Sequence, residues 1–279
     1  GLFTGPPCGP HDQGYREWAS RCLPHDVDAD AAVESMLALS FNAYGSTPGG
    51  RLQMIYPTIS KANHSCAPNA CVHAPEEGPG NMVCLRDIEV GEEVLVSYLN
   101  ESELASPAPL RNRHLLDNWE FECLCLRCQG HTEDVRRFAC PLLEGCSGCC
   151  HALRLCGSQP LLTSACTVCG GEPSLIVLTG WGEHEREIEA LLDDLPSSLY
   201  SAWAPSEEFS AAHPEHWLAG RWKRHLAATI ESSAEEADTP EEAEELHEEA
   251  VMHRKAARRC SQALLQHPLS SRSMAAACS

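Results

Sequence analysis

Residues 63–69 read NHSCAPN, and residues 123–128 read CLCLRC. The first stretch is an unusual polar heptapeptide that carries one thiol, and the second is a dense knot of three thiols. A structural zinc ion takes four ligands in a tetrahedron, so three thiolates leave it one ligand short. The two stretches together therefore predict a metal site whose fourth ligand comes from elsewhere in the chain.

Cysteine is unusually frequent, with 17 in 279 residues, mostly as close pairs between residues 123 and 169. A chain of this length can bury a substantial core without disulfides. Because no secretory signal is visible, we expect metal ligands in a reducing compartment rather than disulfides. The expected location is the nucleus or the cytoplasm.

The chain is strongly acidic, with a formal net charge of -20. Proteins that hold nucleic acid by its phosphates need a basic surface, so we expect no direct nucleic-acid binding. Basic peptides are better partners, although acidity can also serve solubility alone. No run of about 18 apolar residues occurs, so we expect no membrane-spanning helix.

Apolar spacing and turn residues predict elements in the first half. Residues 28–44 have the spacing of an amphipathic helix that enters a buried segment. Residues 81–85 and 94–98 are β-rich runs around a turn at Gly91, which predicts a strand, a turn and a second strand. Prolines just before residue 110 predict a helix that runs to Trp119.

The second half reads as helical from residue 182 onward. Thr239 precedes a proline at the first helical position and an acid three residues later, which is a capping box. We expect that last helix to run to about Leu265.

A second cysteine-rich segment spans residues 140–171, where two knuckles about 20 residues apart are typical of a small zinc ribbon. We assign its ligands to Cys140, Cys146, Cys166 and Cys169. Cys149 competes with Cys146 for the first knuckle. The spare candidates nearby are Cys150, His151 and Cys156, and most spare thiols are expected to be ordinary buried cysteines.

Two more segments extend the pattern of the heptapeptide. Residues 56–60 read YPTIS, and residues 86–98 read RDIEVGEEVLVSY. Together with the heptapeptide they resemble the C-terminal half of a SET domain, and in particular the SET and MYND (SMYD-type) family of protein lysine methyltransferases. The resemblance is specific over residues 39–130, looser to residue 171, and a general helical likeness beyond.

This resemblance implies an α+β protein. It would consist of the C-terminal part of a β-rich SET fold with a post-SET zinc site, then a small zinc ribbon and an all-helical region. The corresponding domains are residues 1–38 as a linker or SET-insert remnant, 39–130 as SET and post-SET, 131–174 as the ribbon, and 175–279 as the helical domain.

The activity implied by the resemblance is transfer of a methyl group from S-adenosylmethionine to a lysine of a histone tail or another protein. Such a transfer is an in-line displacement, so the enzyme must align a neutral amine and exclude water. The site needs polar groups for the cofactor, an aromatic channel for the lysine and an oriented hydroxyl.

The resemblance assigns the cofactor to one polar segment. Asn63 and His64 correspond to the segment that holds the cofactor in SET folds, and Ser60 matches a further cofactor-contacting position. An Asn-His pair can also be an ordinary turn with satisfied polar groups. The matching residues around the pair favour the functional interpretation.

Three aromatic residues complete the expected site. Tyr98 corresponds to the tyrosine whose hydroxyl lies by the lysine nitrogen in SET domains, although alternation could also make it a core residue. Phe121 matches the aromatic that packs against the cofactor adenine, or else anchors the thiol knot. Trp119 stands where SMYD-type enzymes often carry a lysine-channel tyrosine, so a hydroxyl is lost there.

The fourth zinc ligand also comes from the resemblance. Spacing alone leaves Cys66, Cys71 and Cys84 open, whereas the family supplies Cys66 to join Cys123, Cys125 and Cys128. A zinc ion held by these four thiols would couple metal binding to folding of the cofactor segment.

Residues 1–29 resemble neither the glycine-rich strand nor the MYND module that open an SMYD-type SET domain. We therefore expect a segment of a longer protein, which forms one side of the cofactor pocket and lacks activity in isolation. One alternative is an inactive SET-fold scaffold that binds protein partners; retention of Asn63, His64 and Tyr98 counts against it.

A zinc-dependent nucleic-acid binder is the other alternative, built on the ribbon. Residues 146–170 contain Arg154 as their one fixed positive charge and lack aromatic residues for base stacking. This composition disfavours the interpretation.

Overall fold

The computed structural model describes residues 4–5, 9–45, 53–74, 79–154, 161–194, 199–237 and 239–265. Cys156, a spare ligand in the sequence analysis, lies outside these ranges. The chain divides into two compact units. The first contains Gly1–Leu104 and Pro109–Cys128, and the second contains Ala105–Ala108 and Gln129–Pro268.

The first unit begins with a pair of helices, α1 (Pro10–Cys22) and α2 (Ala29–Asn42). The Asp28 carboxylate caps α2 by accepting a hydrogen bond from the Ala31 N–H. The helix predicted within residues 28–44 is thus confirmed. The helices share a small apolar core, against which Trp119 also packs; it consists of Ala19, Val33, Leu37 and Phe41.

Six short strands follow these helices. They are β1 (Ala43–Gly45), β2 (Gln53–Ile55), β3 (Asn63–His64), β4 (Ala70–His73), β5 (Asn81–Cys84) and β6 (Leu95–Val96). Strands β1 and β2 pair antiparallel, as do β4 and β5, whereas β3 pairs parallel with β6. A turn of 3-10 helix at Ile59–Lys61 precedes β3.

The predicted unit of strand, turn and strand is wrong in its pairing, because β5 and β6 lie where expected but have other partners. The reason lies in Asn69, which is almost fully buried. Its side-chain oxygen accepts from the Leu95 N–H at 2.8 Å, and its amide donates to the Glu93 carbonyl at 2.8 Å. Its backbone N–H also donates to Leu95, while its carbonyl accepts from Leu85. Asn69 therefore forms hydrogen bonds with Leu85, next to β5, and with Leu95, in β6, so β5 and β6 are linked through Asn69 and do not pair with each other.

Three helices close the first unit: α3 (Glu101–Leu104), α4 (Ala108–Trp119) and α5 (Leu126–Gln129). Helix α4 confirms the helix predicted from the prolines, and it ends at Trp119, the expected channel residue. The thiol knot lies between α4 and the end of α5.

The second unit combines a hairpin with helices. Strands β7 (Thr132–Ala139) and β8 (Cys149–Leu153) pair antiparallel, with an irregularity between Glu133 and Arg137. The helices are α6 (Leu175–Asp193), α7 (Leu199–Ala212), α8 (Trp217–Glu235) and α9 (Pro240–Leu265). Among the described helices, none is long and apolar enough to cross a membrane.

The helical prediction for the second half holds with one shift of a boundary. Helix α9 has the predicted start, and the Thr239 hydroxyl accepts from the Glu242 N–H at 3.2 Å. Helix α6 begins at Leu175, before the expected position, because the Ser174 side chain caps it by accepting from the Val177 N–H.

Candidate active site and thiol clusters

The imidazole of His64 lies between the backbone of Tyr98 and the thiol of Cys66. Its Nδ1 accepts a hydrogen bond from the Tyr98 N–H at 3.0 Å. The ring proton therefore sits on Nε2, which lies 3.3 Å from Cys66 Sγ. Burial lowers the pKa of His64 to about 4, so the imidazole is neutral near pH 7.

Tyr98 lies at the centre of an aromatic cluster formed by His64, Tyr98, Trp119 and Phe121. Its ring centroid is 5.3 Å from that of His64, 5.5 Å from Trp119 and 6.2 Å from Phe121. Separations of 4.5–7 Å are those of favourable aromatic pairs. The structure thus brings together four of the residues singled out from the sequence.

The hydroxyl of Tyr98 has a fixed direction, because it donates to the Ala62 carbonyl at 2.9 Å. Burial, and then the nearby charge of Glu93, raise the pKa of Tyr98 above its ordinary value. The phenol is therefore protonated at neutral pH and acts as an oriented dipole.

Tyr44, on β1, is a residue of this region that sequence reasoning missed. Burial, and then interaction with the charge of Tyr98, raise the pKa of Tyr44 to about 12. Its ring also contacts Tyr56, with centroids 6.1 Å apart. The one available signal was an aromatic residue at the end of the predicted segment 28–44.

The remaining predicted cofactor residues lie on the same segment but have other bonds. The Ser60 hydroxyl donates to the Asn42 carbonyl at 3.0 Å. The exposed Asn63 amide donates to the Glu93 carboxylate at 2.6 Å. Neither side chain is buried, so both keep polar atoms accessible from one side of the segment.

The structure gathers the four thiols of the first cluster, Cys66, Cys123, Cys125 and Cys128, with all sulfurs within 4.8 Å of one another. The sulfurs of Cys66 and Cys128 are 3.5 Å apart. Four thiolates around zinc at about 2.3 Å would be separated by about 3.8 Å, so the arrangement fits this ion. The candidates that spacing left open, Cys71 and Cys84, lie outside the cluster.

Buried arginines surround this first thiol cluster. Arg111 is 0% exposed, and its guanidinium lies 3.6 Å from Cys128 Sγ. Hydrogen bonding by Cys123 and by Cys66, together with the Arg111 charge, lowers the pKa of Cys128 to about 6. Arg127 donates to the carbonyls of Cys66 and Leu104. Arg111 thus favours the thiolate form of Cys128, and Arg127 holds the backbone of Cys66.

The second cluster is formed by Cys140, Cys146, Cys166 and Cys169, again with all sulfurs within 4.8 Å. The sulfurs of Cys140 and Cys169 are 3.6 Å apart, and those of Cys146 and Cys166 are 3.8 Å apart. These separations also fit four thiolates around zinc.

The competing candidate Cys149 lies outside the second cluster. Its sulfur is 3.5 Å from Nε2 of His151 and 3.9 Å from the Thr167 hydroxyl. Burial raises its pKa, and Cys150 is fully buried. Neither Cys149 nor Cys150 belongs to the set of sulfurs that could share one metal ion.

Each sulfur of the second cluster faces the backbone N–H two residues later. Leu142 donates to Cys140, and Val168 donates to Cys166, both at 3.5 Å. The N–H groups of Gly148 and Gly171 act in the same way on Cys146 and Cys169. Backbone hydrogen bonds from Cys169 and Val168 lower the pKa of Cys166 to about 6. Such donors stabilise thiolates, as outer-shell groups do in metal sites.

Comparison with known proteins places the first unit in a class. Residues 15–99 match the SET domain family model. The matched residues include Asn63, His64, Cys66 and Tyr98 of the site, whereas the aromatic residues and thiols of 119–128 lie beyond the match. The match begins within residues 1–38, which sequence reasoning assigned to a linker or insert remnant, and the domain boundaries stay a prediction.

Three relatives indicate the particular kind of SET domain. The human histone-lysine N-methyltransferase SMYD3 is 41% identical over 114 residues, 40% of this chain and 26% of that protein. The histone-lysine N-methyltransferase SET5 of Meyerozyma guilliermondii is 40% identical over 86 residues, 30% of this chain and 17% of that protein. The Gallus gallus protein-lysine N-trimethyltransferase SMYD5 is 36% identical over 81 residues, 29% of this chain and 19% of that protein.

The chain therefore carries SET-domain sequence with homologues of the SMYD type, and the resemblance inferred from the motifs is confirmed. The matched region covers about a quarter or less of the length of each of these three relatives.

Proposed function

We propose that this protein is a protein lysine N-methyltransferase that uses S-adenosylmethionine. The observation that supports this proposal best is the aromatic cluster around Tyr98, tied through His64 to the first thiol cluster. The relatives are histone-lysine and protein-lysine methyltransferases, which supports protein lysine as the substrate class.

The proposed reaction moves one methyl group in line. S-adenosylmethionine supplies the methyl group as a sulfonium. The lone pair of the neutral lysine amine forms the new C–N bond while the C–S bond breaks, and the positive charge passes to nitrogen before a proton leaves to water. The residues of this chain contribute alignment and exclusion of water, which dominate such a step.

Tyr98 is the proposed catalytic residue. Its hydroxyl is oriented by the Ala62 carbonyl, and its raised pKa keeps it neutral. A fixed dipole beside the reacting nitrogen stabilises the charge that develops there. Trp119 would form a wall of the lysine channel, where an aromatic face also favours a cationic methylated amine.

One side of the cofactor site would come from Ser60, Asn63, His64 and Phe121. The exposed Asn63 amide can exchange its bond with Glu93 for a polar group of the cofactor. Phe121 meets Tyr98 edge to face, so a face of the Phe121 ring can support an adenine.

Both thiol clusters are proposed to bind Zn²⁺, in a post-SET site and in a ribbon. In each set the four sulfurs lie within 4.8 Å of one another, close enough to share one tetrahedral zinc ion, and N–H donors face sulfur atoms in both sets. Zinc in the first cluster would fix Cys66, and with it the cofactor segment, to the thiol knot. We propose a nuclear or cytoplasmic protein whose partners are lysine-containing proteins such as histone tails, without direct nucleic-acid binding.

Calorimetry of S-adenosylmethionine binding tests the proposal on the zinc-loaded full-length protein, with Asn63→Ala and Tyr98→Phe in parallel. Micromolar binding that Asn63→Ala destroys and Tyr98→Phe spares would support a working methyltransferase pocket. No binding by a folded, zinc-replete protein would instead support an inactive SET-fold scaffold that binds protein partners.

A further inference from the structure

Glu120 stands between two residues of the aromatic cluster and has an unusual backbone. Its φ is 61°, and among the residues that the structure describes it is the non-glycine residue with positive φ. Side chains with a Cβ rarely adopt this region, so surrounding contacts must hold it there. The turn at Glu120 lets both Trp119 and Phe121 contact Tyr98.

The carboxylate of Glu120 is bonded to His11, at the start of α1. It accepts from the His11 N–H at 2.8 Å and from His11 Nδ1 at 2.6 Å, and the Glu120 side chain is 6% exposed. The His11 N–H belongs to the first turn of α1, where backbone donors have no partner within the helix. A carboxylate there satisfies a donor and complements the helix dipole.

The chain that leads into α1 leaves room for this carboxylate. A Cβ at Gly9 would collide with Glu120 Oε2, so this position accepts only glycine while the carboxylate stays in place. Gly5 has a φ of 78°, and a Cβ there would collide with the Phe41 ring. Glycine is thus required at both points where the segment passes Glu120 and Phe41.

Trp119 is held by the same helix pair. It packs against the core of α1 and α2, which includes Phe41. The His11 ring meets the Phe41 ring edge to face, with centroids 5.2 Å apart. His11 therefore touches both the support of Trp119 and the carboxylate of the next residue.

We propose that Glu120 is a positioning residue for the channel. Its carboxylate, anchored by His11, maintains the left-handed turn that sets Trp119 and Phe121 against Tyr98. This inference rests on the proposed function only in giving those rings a role with lysine and cofactor; the geometric claim stands by itself.

Fluorine NMR of the full-length protein labelled with 5-fluorotryptophan tests the geometry, with the Trp119 resonance assigned from Trp119→Phe. The variants are Glu120→Gln, which keeps an acceptor for the His11 N–H, and Glu120→Ala, which removes the carboxylate but keeps the Cβ that makes a positive φ unfavourable. Arg16→Ala is the matched control, because it breaks ion pairs of α1 with Asp12 and Asp30 alone.

Glu120→Ala is expected to shift or split the Trp119 resonance and to lower kcat roughly tenfold, since small misplacements in a site are costly. Glu120→Gln should retain most of both, and Arg16→Ala should change neither. His11→Ala combined with Glu120→Ala should be no worse than Glu120→Ala alone.

A wild-type Trp119 resonance and kcat in Glu120→Ala would overturn the positioning role. If the wild-type protein neither binds S-adenosylmethionine nor transfers methyl groups, the proposed function fails, while the Trp119 resonance still decides the role of Glu120.

Discussion

The backbone N–H of Tyr98 donates to Nδ1 of His64 at 3.0 Å, and the opposite nitrogen of the same ring lies 3.3 Å from Cys66 Sγ. One imidazole thus spans the distance between the proposed catalytic tyrosine and a thiol of the first cluster. A zinc ion on that cluster would fix Cys66, then His64, and then the strand end that carries Tyr98. Metal binding and channel geometry should therefore change together.

The first prediction separates the two thiol clusters. Cys66→Ser should release one zinc ion and measurably weaken S-adenosylmethionine binding, because metal binding at such a site is coupled to folding of the segment that carries the ligand. Cys140→Ser, the matched control, should also release one zinc ion but leave cofactor affinity in place. Zinc content by mass spectrometry and affinity by calorimetry provide the measurements. Unchanged affinity in a Cys66→Ser protein that has lost its zinc would contradict the proposed coupling.

The second prediction concerns the hydroxyl of Tyr98. Tyr98→Phe should reduce kcat about 100-fold, as expected for removal of one oriented dipole at a developing charge, with little change in cofactor affinity. Tyr15→Phe removes a hydroxyl that bonds Ser40 on α2, away from the aromatic cluster, and should leave kcat near the wild-type value. Methyl transfer from labelled S-adenosylmethionine to a lysine peptide measures the effect. Equal rates in the two variants would remove Tyr98 from the catalytic role.

Sequence reasoning predicted the thiols and the aromatic residues that gather in the first unit. The three thiols of the knot have the spacing of metal ligands, whereas Cys66 and the aromatic residues were assigned from the family resemblance. It also predicted α2 from the spacing of its apolar residues and α4 from the prolines at its start, because both signals are local in the sequence. The pairing of β5 and β6 was missed because the Asn69 side chain forms hydrogen bonds with backbone groups of Leu95 and Glu93. The residue type alone does not indicate such bonds. The positive φ of Glu120 was missed for a related reason, since glycine normally marks such a turn.

The third prediction follows from the raised pKa of Tyr44. A free tyrosine ionises near pH 10, whereas burial raises the pKa of Tyr44 to about 12. Between these values the unfolded chain loses a proton that the folded protein keeps, so stability falls as pH rises through this window. The fall should be at most about 1 kcal/mol per pH unit, because the phenol is only partly buried.

Urea unfolding of zinc-loaded protein at pH 9.5 and at pH 11.5 tests this titration. Tyr44→Phe should lose less stability between the two conditions than the wild-type protein does. Tyr15→Phe controls for the general alkaline sensitivity of the fold. An identical loss in Tyr44→Phe and the wild-type protein would show that Tyr44 ionises at its ordinary pKa.

The last prediction concerns the second thiol cluster and depends on the absence of a Cβ at Gly148. A Cβ at Gly148 would collide with Cys166 Sγ and with Val168 Cβ, so Gly148→Ala must push the two knuckles apart. The backbone N–H of Gly148 would then no longer face Cys146, and a supporting hydrogen bond of this kind is worth about 10- to 100-fold in metal affinity.

Gly180→Ala is the matched control, because a Cβ at that helical position meets open space. Competition with a chromophoric chelator should show that Gly148→Ala gives up one zinc ion at least tenfold more readily than the wild-type protein, while Gly180→Ala behaves as wild type. Equal zinc retention by both alanine variants would mean that the second cluster accommodates a Cβ at Gly148 and does not depend on the Gly148 N–H to hold its metal ion.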